Sequence, residues 1–181
     1  MAGMSKPAHS HEPTFAGTRY LEDKIIERSA LAGEILRLRA ARPTARIVFT
    51  NGCFDLLHPG HVRYLQEARL EGDVLLVAMN DDDSIRRLKG PTRPILPLRE
   101  RLKVMAALGC VDMVTSFHED TPIPLLEETR PDVLVKGGDY PVTGVVGHEL
   151  VMSWGGAVKV LSLSPGHSTT AIESRMKALA R

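Results

Sequence analysis

The sequence predicts an α/β fold, a doubly wound parallel sheet of about five strands with helices on both faces. Strand-like and helix-like stretches alternate along the chain from Ile47 onward. Two of the strand-like stretches, Val74–Met79 and Val133–Val135, are continuous apolar runs, which is the pattern of strands buried on both faces. A chain of 181 residues is long enough for one domain with a substantial core.

The first part of the chain precedes this alternation. Residues 1–18 are rich in Pro, Gly, Ser and His, and we predict a mobile segment there. Residues 19–181 are predicted to form a single domain, with a helical extension over 19–42. Ser29 is predicted to cap a helix from Ala30 to about Ala41, which Pro43 ends. Its apolar stripe is Leu31, Ile35 and Leu38. We predict that this helical extension covers the sheet of its own domain, in preference to forming a contact between two subunits of a dimer.

The remaining elements follow in order. The predicted strands are Ile47–Thr50, Val74–Met79, Val111–Thr115, Val133–Val135 and Ala157–Leu161. The third and fifth are shorter or half-alternating, and we place them nearer the edges of the sheet. The predicted helices are Val62–Glu71, Ser84–Leu88, Leu98–Leu108, Pro122–Thr129, Gly147–Trp154 and Thr169–Leu179. Gly72 and Gly109 are predicted C-terminal caps, and Asp82 or Asp83 the N-cap of the short helix.

Composition excludes several classes of protein. The net charge of +1 offers no bulk attraction to nucleic acid or to a membrane surface. No apolar run approaches the roughly 18 residues of a membrane span, and the first 17 residues contain no apolar signal-peptide core. Cys53 and Cys110 are not spaced as a metal or redox pair. We predict a cytoplasmic protein with free thiols and with neither a nucleic-acid nor a membrane partner.

Polar clusters follow four of the predicted strands. They are Thr50–His61, Asn80–Asp83, Lys136–Tyr140 and Ser164–Thr170. In a doubly wound sheet, ligands bind beyond the carboxyl ends of the strands, where the strand order reverses. The four clusters are therefore expected to converge on one crevice.

The tetrapeptide His58-Pro59-Gly60-His61 lies between the first strand and the following helix. Backbone N–H groups and the helix dipole favour anions at such a junction, and two imidazoles add donors, so the pattern indicates phosphate binding. A zinc site is disfavoured because no further ligand lies at a suitable spacing. Simple capping of the helix by the two histidines is the other alternative.

The stretch from Thr50 to His61 resembles the signature of the HxGH nucleotidyltransferase superfamily. Two later stretches, Val135–Tyr140 and Ser168–Ile172, resemble the heptose 1-phosphate adenylyltransferases, and the resemblance runs from about Ile47 to Met176. It implies a Rossmann-like nucleotidyltransferase fold. It also implies transfer of AMP from ATP, with Mg²⁺, to D-glycero-D-manno-heptose 1-phosphate. The products would be ADP-heptose, a lipopolysaccharide core precursor, and pyrophosphate.

The same resemblance implies the residues of the site. The catalytic residues would be His58, His61 and Lys89, the last on a mobile loop over 86–91. The nucleotide-binding residues would be Thr50, Asn51, Gly52, Cys53, Phe54, Gly60, Lys136, Gly138, Asp139, Ser168, Thr169 and Thr170. Independently of the resemblance, Arg93 and Arg99 extend the basic stretch around Lys89 and are predicted to bind the substrate phosphate, in preference to forming a solvated charge run. No protein metal site is expected.

Some roles remain open at the level of sequence. Asp55 either orients a histidine or the loop backbone, or is a structural turn residue. Asp139 would hold sugar hydroxyls or the ribose. Ser168 would contact the nucleotide, cap the last helix, or do both. Cys53 is interpreted as a small semi-buried filler rather than a nucleophile.

Two other functions compete with heptose adenylylation. One is another transferase of the superfamily, such as a glycerol-3-phosphate cytidylyltransferase, and the other is a nucleotide-binding module without catalysis. The implied mechanism is direct in-line attack, in which the protein aligns the substrates and neutralises charge. Some relatives fuse this transferase to a sugar kinase, for which this chain has no room. We expect a separate enzyme to supply the heptose phosphate.

Overall fold

The computed structural model describes residues 21–162 and 169–179. Five parallel strands form one sheet in the order β3-β2-β1-β4-β5, which confirms the predicted α/β fold. The strands are β1 (Ile47–Gly52), β2 (Val74–Asn80), β3 (Met113–Phe117), β4 (Val133–Gly137) and β5 (Ala157–Leu161). The chain runs outward from β1 to β3 and then returns to the other side of β1, so the strand order reverses between β1 and β4.

Helices cover both faces of this sheet. They are α1 (Leu21–Lys24), α2 (Arg28–Ala41), α3 (Pro59–Arg69), α4 (Asp82–Lys89), α5 (Leu98–Ala106), α6 (Ile123–Thr129), α7 (His148–Ser153) and α8 (Thr169–Leu179), with a 3-10 turn at Val142–Gly144. Buried residues of α2, α6 and α7 pack on one face. Buried residues of α3 and α5 pack on the other.

The apolar runs have the burial that the sequence predicts. All seven residues of β2 are buried, because this strand lies between β1 and β3 with helices above and below. The third and fifth strands are at the two ends of the sheet order, as predicted.

The helical extension packs on its own sheet, which was the favoured prediction. Leu31, Ile35 and Leu38 are all buried in the core. The backbone N–H of Ile26 donates to Val114 O at 2.8 Å, so the extension also covers part of the outer edge of β3. This contact satisfies backbone groups that an edge strand otherwise leaves open to other chains.

Several predicted helix ends were wrong. Helix α2 begins at Arg28, and Glu27 rather than Ser29 occupies its N-cap position. Helix α3 begins at Pro59 instead of Val62, because proline is well suited to the first helical position. Asp81, and not Asp82 or Asp83, caps α4 by accepting from the N–H of Ser84 at 2.7 Å.

Gly72 and Gly109 do not cap helices in the left-handed conformation, since the glycines with positive φ are others. Helix α3 ends before Gly72, with Leu70 in the C-cap position. A Cβ on Gly72 would lie 2.7 Å from both the carbonyl oxygen of Arg46 and a methyl of Val48. The absence of a side chain here therefore allows close packing of the turn against β1.

Gly72→Ala is expected to lower the free energy of unfolding by about 1–3 kcal/mol, because the new methyl overlaps backbone. Gly109→Ala is the matched control, since a Cβ there meets no atom within 4 Å. Urea denaturation of both variants measures the difference. Equal stability of the two variants would contradict the packing argument.

Candidate active site

A cleft opens at the carboxyl ends of β1 and β4, where the strand order reverses. It is lined by Asn51, Gly52, Cys53, Phe54, Asp55, His61, Tyr64, Lys89, Lys136, Gly137 and Thr169. Residues from three of the four predicted polar clusters line it. None of Asn80–Asp83 does, but Lys89, on the helix that begins in that cluster, lies at the cleft.

The two histidines of the tetrapeptide stand together at the start of α3. Their rings stack with centroids 3.7 Å apart and an angle of 18° between the planes. His58 is the N-cap, and its Nδ1 accepts from the N–H of His61 at 3.3 Å. His58 therefore caps the helix, and His61, stacked on it, lines the cleft. Because Nδ1 of His58 accepts, the proton of the neutral ring is on Nε2.

His61 is held as a neutral imidazole. Burial and, to a lesser extent, the nearby charges of His58 and Lys89 lower its pKa to about 4, against an opposing effect of the Leu56 backbone. Its Nδ1 is buried and has no hydrogen-bond partner among the described residues. The ring of Phe54 meets it edge-on at 5.3 Å. A neutral ring can donate one hydrogen bond to an anion without the cost of a buried charge.

This lowered pKa predicts a pH dependence of folding. The unfolded chain protonates His61 near pH 6.5, whereas the folded protein does so only near pH 4. Stability should therefore fall as the pH drops from 6.5 to 4, by about 1–2 kcal/mol after allowance for solvent screening of this partly exposed ring. His61→Gln should flatten that part of the curve in urea melts at a series of pH values. An unchanged slope in His61→Gln would count against the assignment.

Lys136 joins β1 and β4 at the floor of the cleft. Its Nζ donates to Asn51 O at 2.9 Å and to Asn51 Oδ1 at 3.1 Å. Burial lowers the pKa of this lysine. These contacts hold the end of β1 against the end of β4 and place a half-buried amine at the cleft.

Tyr64 supports the same two strands from α3. Its hydroxyl lies 2.6 Å from Oγ1 of Thr50 and donates to Val135 O at 3.1 Å. Burial raises the pKa of this phenol well above its ordinary value, so it stays protonated. Sequence analysis missed this residue, although its place one turn after His61 puts it on the sheet-facing side of the helix.

Asp55 binds backbone N–H groups and an arginine from a distant part of the chain. Its carboxylate, 4% exposed, accepts from the N–H groups of Ile95 and Leu96 and from Arg93 Nη1 at 2.8 Å. Burial alone would raise the pKa of Asp55, but these hydrogen bonds and the charge of Arg93 together lower it. Asp55 thus fastens the segment between α4 and α5 to the loop that follows β1 (residues 53–58), called the β1 loop below. Arg93, predicted to bind the substrate phosphate, lies in this ion pair.

The structure places the other predicted residues in different surroundings. Lys89 is the last residue of α4 rather than part of a mobile loop, because Asp81 starts a helix that good helix formers continue to Gly90. Arg99 is exposed on α5 and is not among the lining residues.

The last two predicted clusters are only partly brought to the cleft. Gly138 and Asp139 lie beyond its lining, and a Cβ on Gly138 would overlap the ring of Tyr140. Thr169 lines the cleft at the start of α8, with Oγ1 3.5 Å from Leu56 O. Ser168 and the side chain of Thr170 lie outside the described part of the chain.

The described residues form no cluster of metal ligands. Within 21–162 and 169–179, no three His, Cys, Asp or Glu side chains form a potential metal-ligand group. Asp55 is the one carboxylate among the described lining residues, and Arg93 and two N–H groups already occupy it. These residues therefore do not fit a protein-held Mg²⁺ site.

No helix in the described residues is long and apolar enough to cross a membrane. The two cysteines are free thiols, and both are half-buried.

The sheet and its cleft define a doubly wound α/β protein with a crevice lined by His61, Lys89 and Lys136 at the strand-order reversal. The family model described as cytidylyltransferase-like matches residues 49–174. The chain therefore belongs to the cytidylyltransferase-like family, and its fold is the Rossmann-like nucleotidyltransferase fold.

Individual proteins refine this relation. The bifunctional protein HldE of Alcanivorax borkumensis is 62% identical over 132 residues, which are 73% of this chain and 28% of that protein. The chain spans about a third of the length of the curated relatives it matches.

Solved structures give two further comparisons. The lipopolysaccharide core biosynthesis protein of Thermoplasma volcanium is 31% identical, with a TM-score of 0.55 over 66% of this chain and 97% of that one. Pantothenate synthetase from Thermus thermophilus, 16% identical, has a TM-score of 0.56 over 86% of this chain and 70% of that one. This second likeness concerns the fold alone.

Proposed function

We propose that the protein is an adenylyltransferase that transfers AMP from ATP to D-glycero-D-manno-heptose 1-phosphate. The observation that carries the proposal is the stacked pair His58 and His61 at the start of α3, with His61, Lys89 and Lys136 lining one cleft. One imidazole and two lysines line this space, and the second imidazole is stacked on the first; together they would supply the donors and positive charge that a triphosphate requires.

The reaction needs no covalent enzyme intermediate. An oxygen of the sugar phosphate attacks the α-phosphorus of ATP, the bond from that phosphorus to the bridging oxygen of the β-phosphate breaks, and pyrophosphate leaves with the electron pair. The attacking oxygen is already an anion, so no strong general base is required. Catalysis consists of alignment and stabilisation of the charge that builds on the α-phosphate.

The named side chains divide this work. His58, with its proton on Nε2, and the neutral His61 would donate hydrogen bonds to phosphate oxygens. Lys89 and Lys136 would neutralise charge from α4 and β4. Asn51, Gly52, Cys53, Phe54 and Thr169 would border the nucleotide, with Thr50 behind them; Gly60, Gly138, Asp139, Ser168 and Thr170 stay predicted nucleotide contacts. Arg99 stays a predicted contact for the substrate phosphate.

The identity of the sugar phosphate rests on likeness to other proteins. The related bifunctional protein HldE and the lipopolysaccharide core biosynthesis protein match this chain at 62% and 31% identity. Val135–Tyr140 and Ser168–Ile172 carry the resemblance to heptose 1-phosphate adenylyltransferases. Lipopolysaccharide core precursor synthesis would be the pathway.

Mg²⁺ would enter with ATP, held by phosphate oxygens and water, as is usual for this ion. We assign no step to it, since the described residues do not form a cage for it. A cytoplasmic location, where ATP is available, and a homodimer remain predictions.

The proposal is tested by incubating the purified chain with heptose 1-phosphate, Mg²⁺ and either ATP or CTP. ADP-heptose and pyrophosphate in equal amounts from ATP are the expected products. A preference for CTP would make the protein a cytidylyltransferase, and glycerol 3-phosphate tests that acceptor. Binding of ATP without turnover of either acceptor would indicate a non-catalytic nucleotide-binding module.

A further inference from the structure

Arg101 is the largest fully buried side chain among the described residues, with 0% of its side chain exposed. It lies in the first half of α5, outside the cleft lining. A guanidinium away from water requires partners for its donors. Those partners come from three separate parts of the chain.

The first two partners are backbone carbonyls beside the cleft. Arg101 Nη1 donates to Cys53 O at 2.8 Å and to Asn80 O at 3.0 Å. Cys53 belongs to the β1 loop that lines the cleft, and Asn80 ends β2. The side chain therefore fastens the two strand ends together.

The remaining contacts reach the segment that carries Lys89. Arg101 Nη2 donates to Asp82 Oδ1 at 2.7 Å, and Arg101 Nε donates to Leu96 O at 3.0 Å. Asp82 is the first residue of α4, and the same oxygen also accepts from the N–H of Leu98. Because α4 is an eight-residue helix ending at Lys89, a displacement at Asp82 is passed to Lys89, about 10 Å away.

We infer that Arg101 is a positioning residue. By joining Asp82 to the carbonyl of Cys53, it sets the position of Lys89 relative to the β1 loop. Lys89 is near enough to His61 for its charge to act on that ring. A lysine on a misplaced helix would no longer meet the phosphate that His61 contacts. The inference rests on the proposed function.

The test is a double-mutant cycle with Arg101→Lys and Lys89→Met, read as kcat and KM for ATP. Arg101→Lys keeps the charge but loses the forked geometry. If Arg101 acts through Lys89, kcat should fall about 10-fold with Lys89 present and less than about 3-fold in the Lys89→Met background. Equal losses in both backgrounds would overturn the inference, because a purely structural defect acts independently of Lys89.

Three further variants complete the test. Asp82→Asn should reproduce the Lys89-dependent loss, and it provides the cycle if Arg101→Lys does not fold. Asp83→Asn, on the same helical turn but exposed, and Lys103→Met, exposed on α5, are the matched controls and should keep wild-type kcat.

Binding separates this inference from the proposed function. The same four proteins of the cycle are titrated with ATP by calorimetry. If the wild type binds ATP but forms no ADP-heptose, the proposed function fails, and a coupled change in Kd still supports the positioning role. If Arg101→Lys changes Kd equally with and without Lys89, the positioning role is overturned. It is also overturned if the wild type does not bind ATP.

Discussion

His61→Ala is expected to lower kcat for ADP-heptose formation by about 10²–10³-fold, the usual loss for one preorganised donor to a developing oxyanion. His61 lines the cleft, stacks on His58 and is kept neutral by burial. Its removal takes away a donor and opens the space to water. Release of pyrophosphate, followed under saturating ATP and sugar phosphate, measures the effect.

The control for this variant is His118→Ala. The side chain of His118 is 80% exposed and stands away from the cleft, so kcat should stay at the wild-type value. Circular dichroism and thermal melts establish that both variants are folded. Turnover of His61→Ala within about threefold of wild type would exclude His61 from the chemistry.

Asp55→Ala is expected to cost about 3–5 kcal/mol of unfolding free energy, because it removes a buried carboxylate that accepts from Arg93 and two backbone N–H groups. Arg93 is 13% exposed and would lose the carboxylate at 2.8 Å, and the N–H groups of Ile95 and Leu96 would lose their acceptor. Denaturant titration at neutral pH gives the difference. Activity should fall as well, because the segment that follows Lys89 is no longer fastened to the β1 loop.

Asp83→Ala is the comparison for this loss. Asp83 also pairs with an arginine, Arg86, but its side chain is 77% exposed, so less than about 1 kcal/mol is expected. Because the pKa of Asp55 lies below its ordinary value, the difference between the two variants should shrink as the pH falls through the titration of Asp55. A difference that stays constant down to low pH would show that the ion pair is not its source.

The elements predicted from sequence were those with strong local patterns. The strands β2 and β4 were predicted correctly, because a strand buried on both faces needs a continuous run of apolar residues. Helix ends were read less well. Asp81, Asp82 and Asp83 are equally good caps by residue type, and the structure chooses Asp81, since Asp82 is drawn to Arg101 and Leu98.

A site residue could be proposed from sequence where a single segment shows both a suitable residue type and its position at the end of a strand. The tetrapeptide at a strand-to-helix junction indicates phosphate binding without any tertiary information. Contacts between residues far apart in the sequence were not predicted. Arg93 and Arg101 look alike in sequence as basic residues near Lys89, yet one pairs with Asp55 and the other is fully buried beneath the cleft.

The sequence by itself determined the doubly wound fold, the position of the histidine pair after the first strand and the family resemblance. These features depend on periodicity and on the order of neighbouring residues, which are local properties of the chain. The tertiary structure alone decided that Asp55 fastens a loop, that His61 is neutral and that Arg101 joins three segments. Each of these depends on burial and on hydrogen bonds between residues about 20 to 50 positions apart, or on the stacking and desolvation of rings, which only the folded chain brings about.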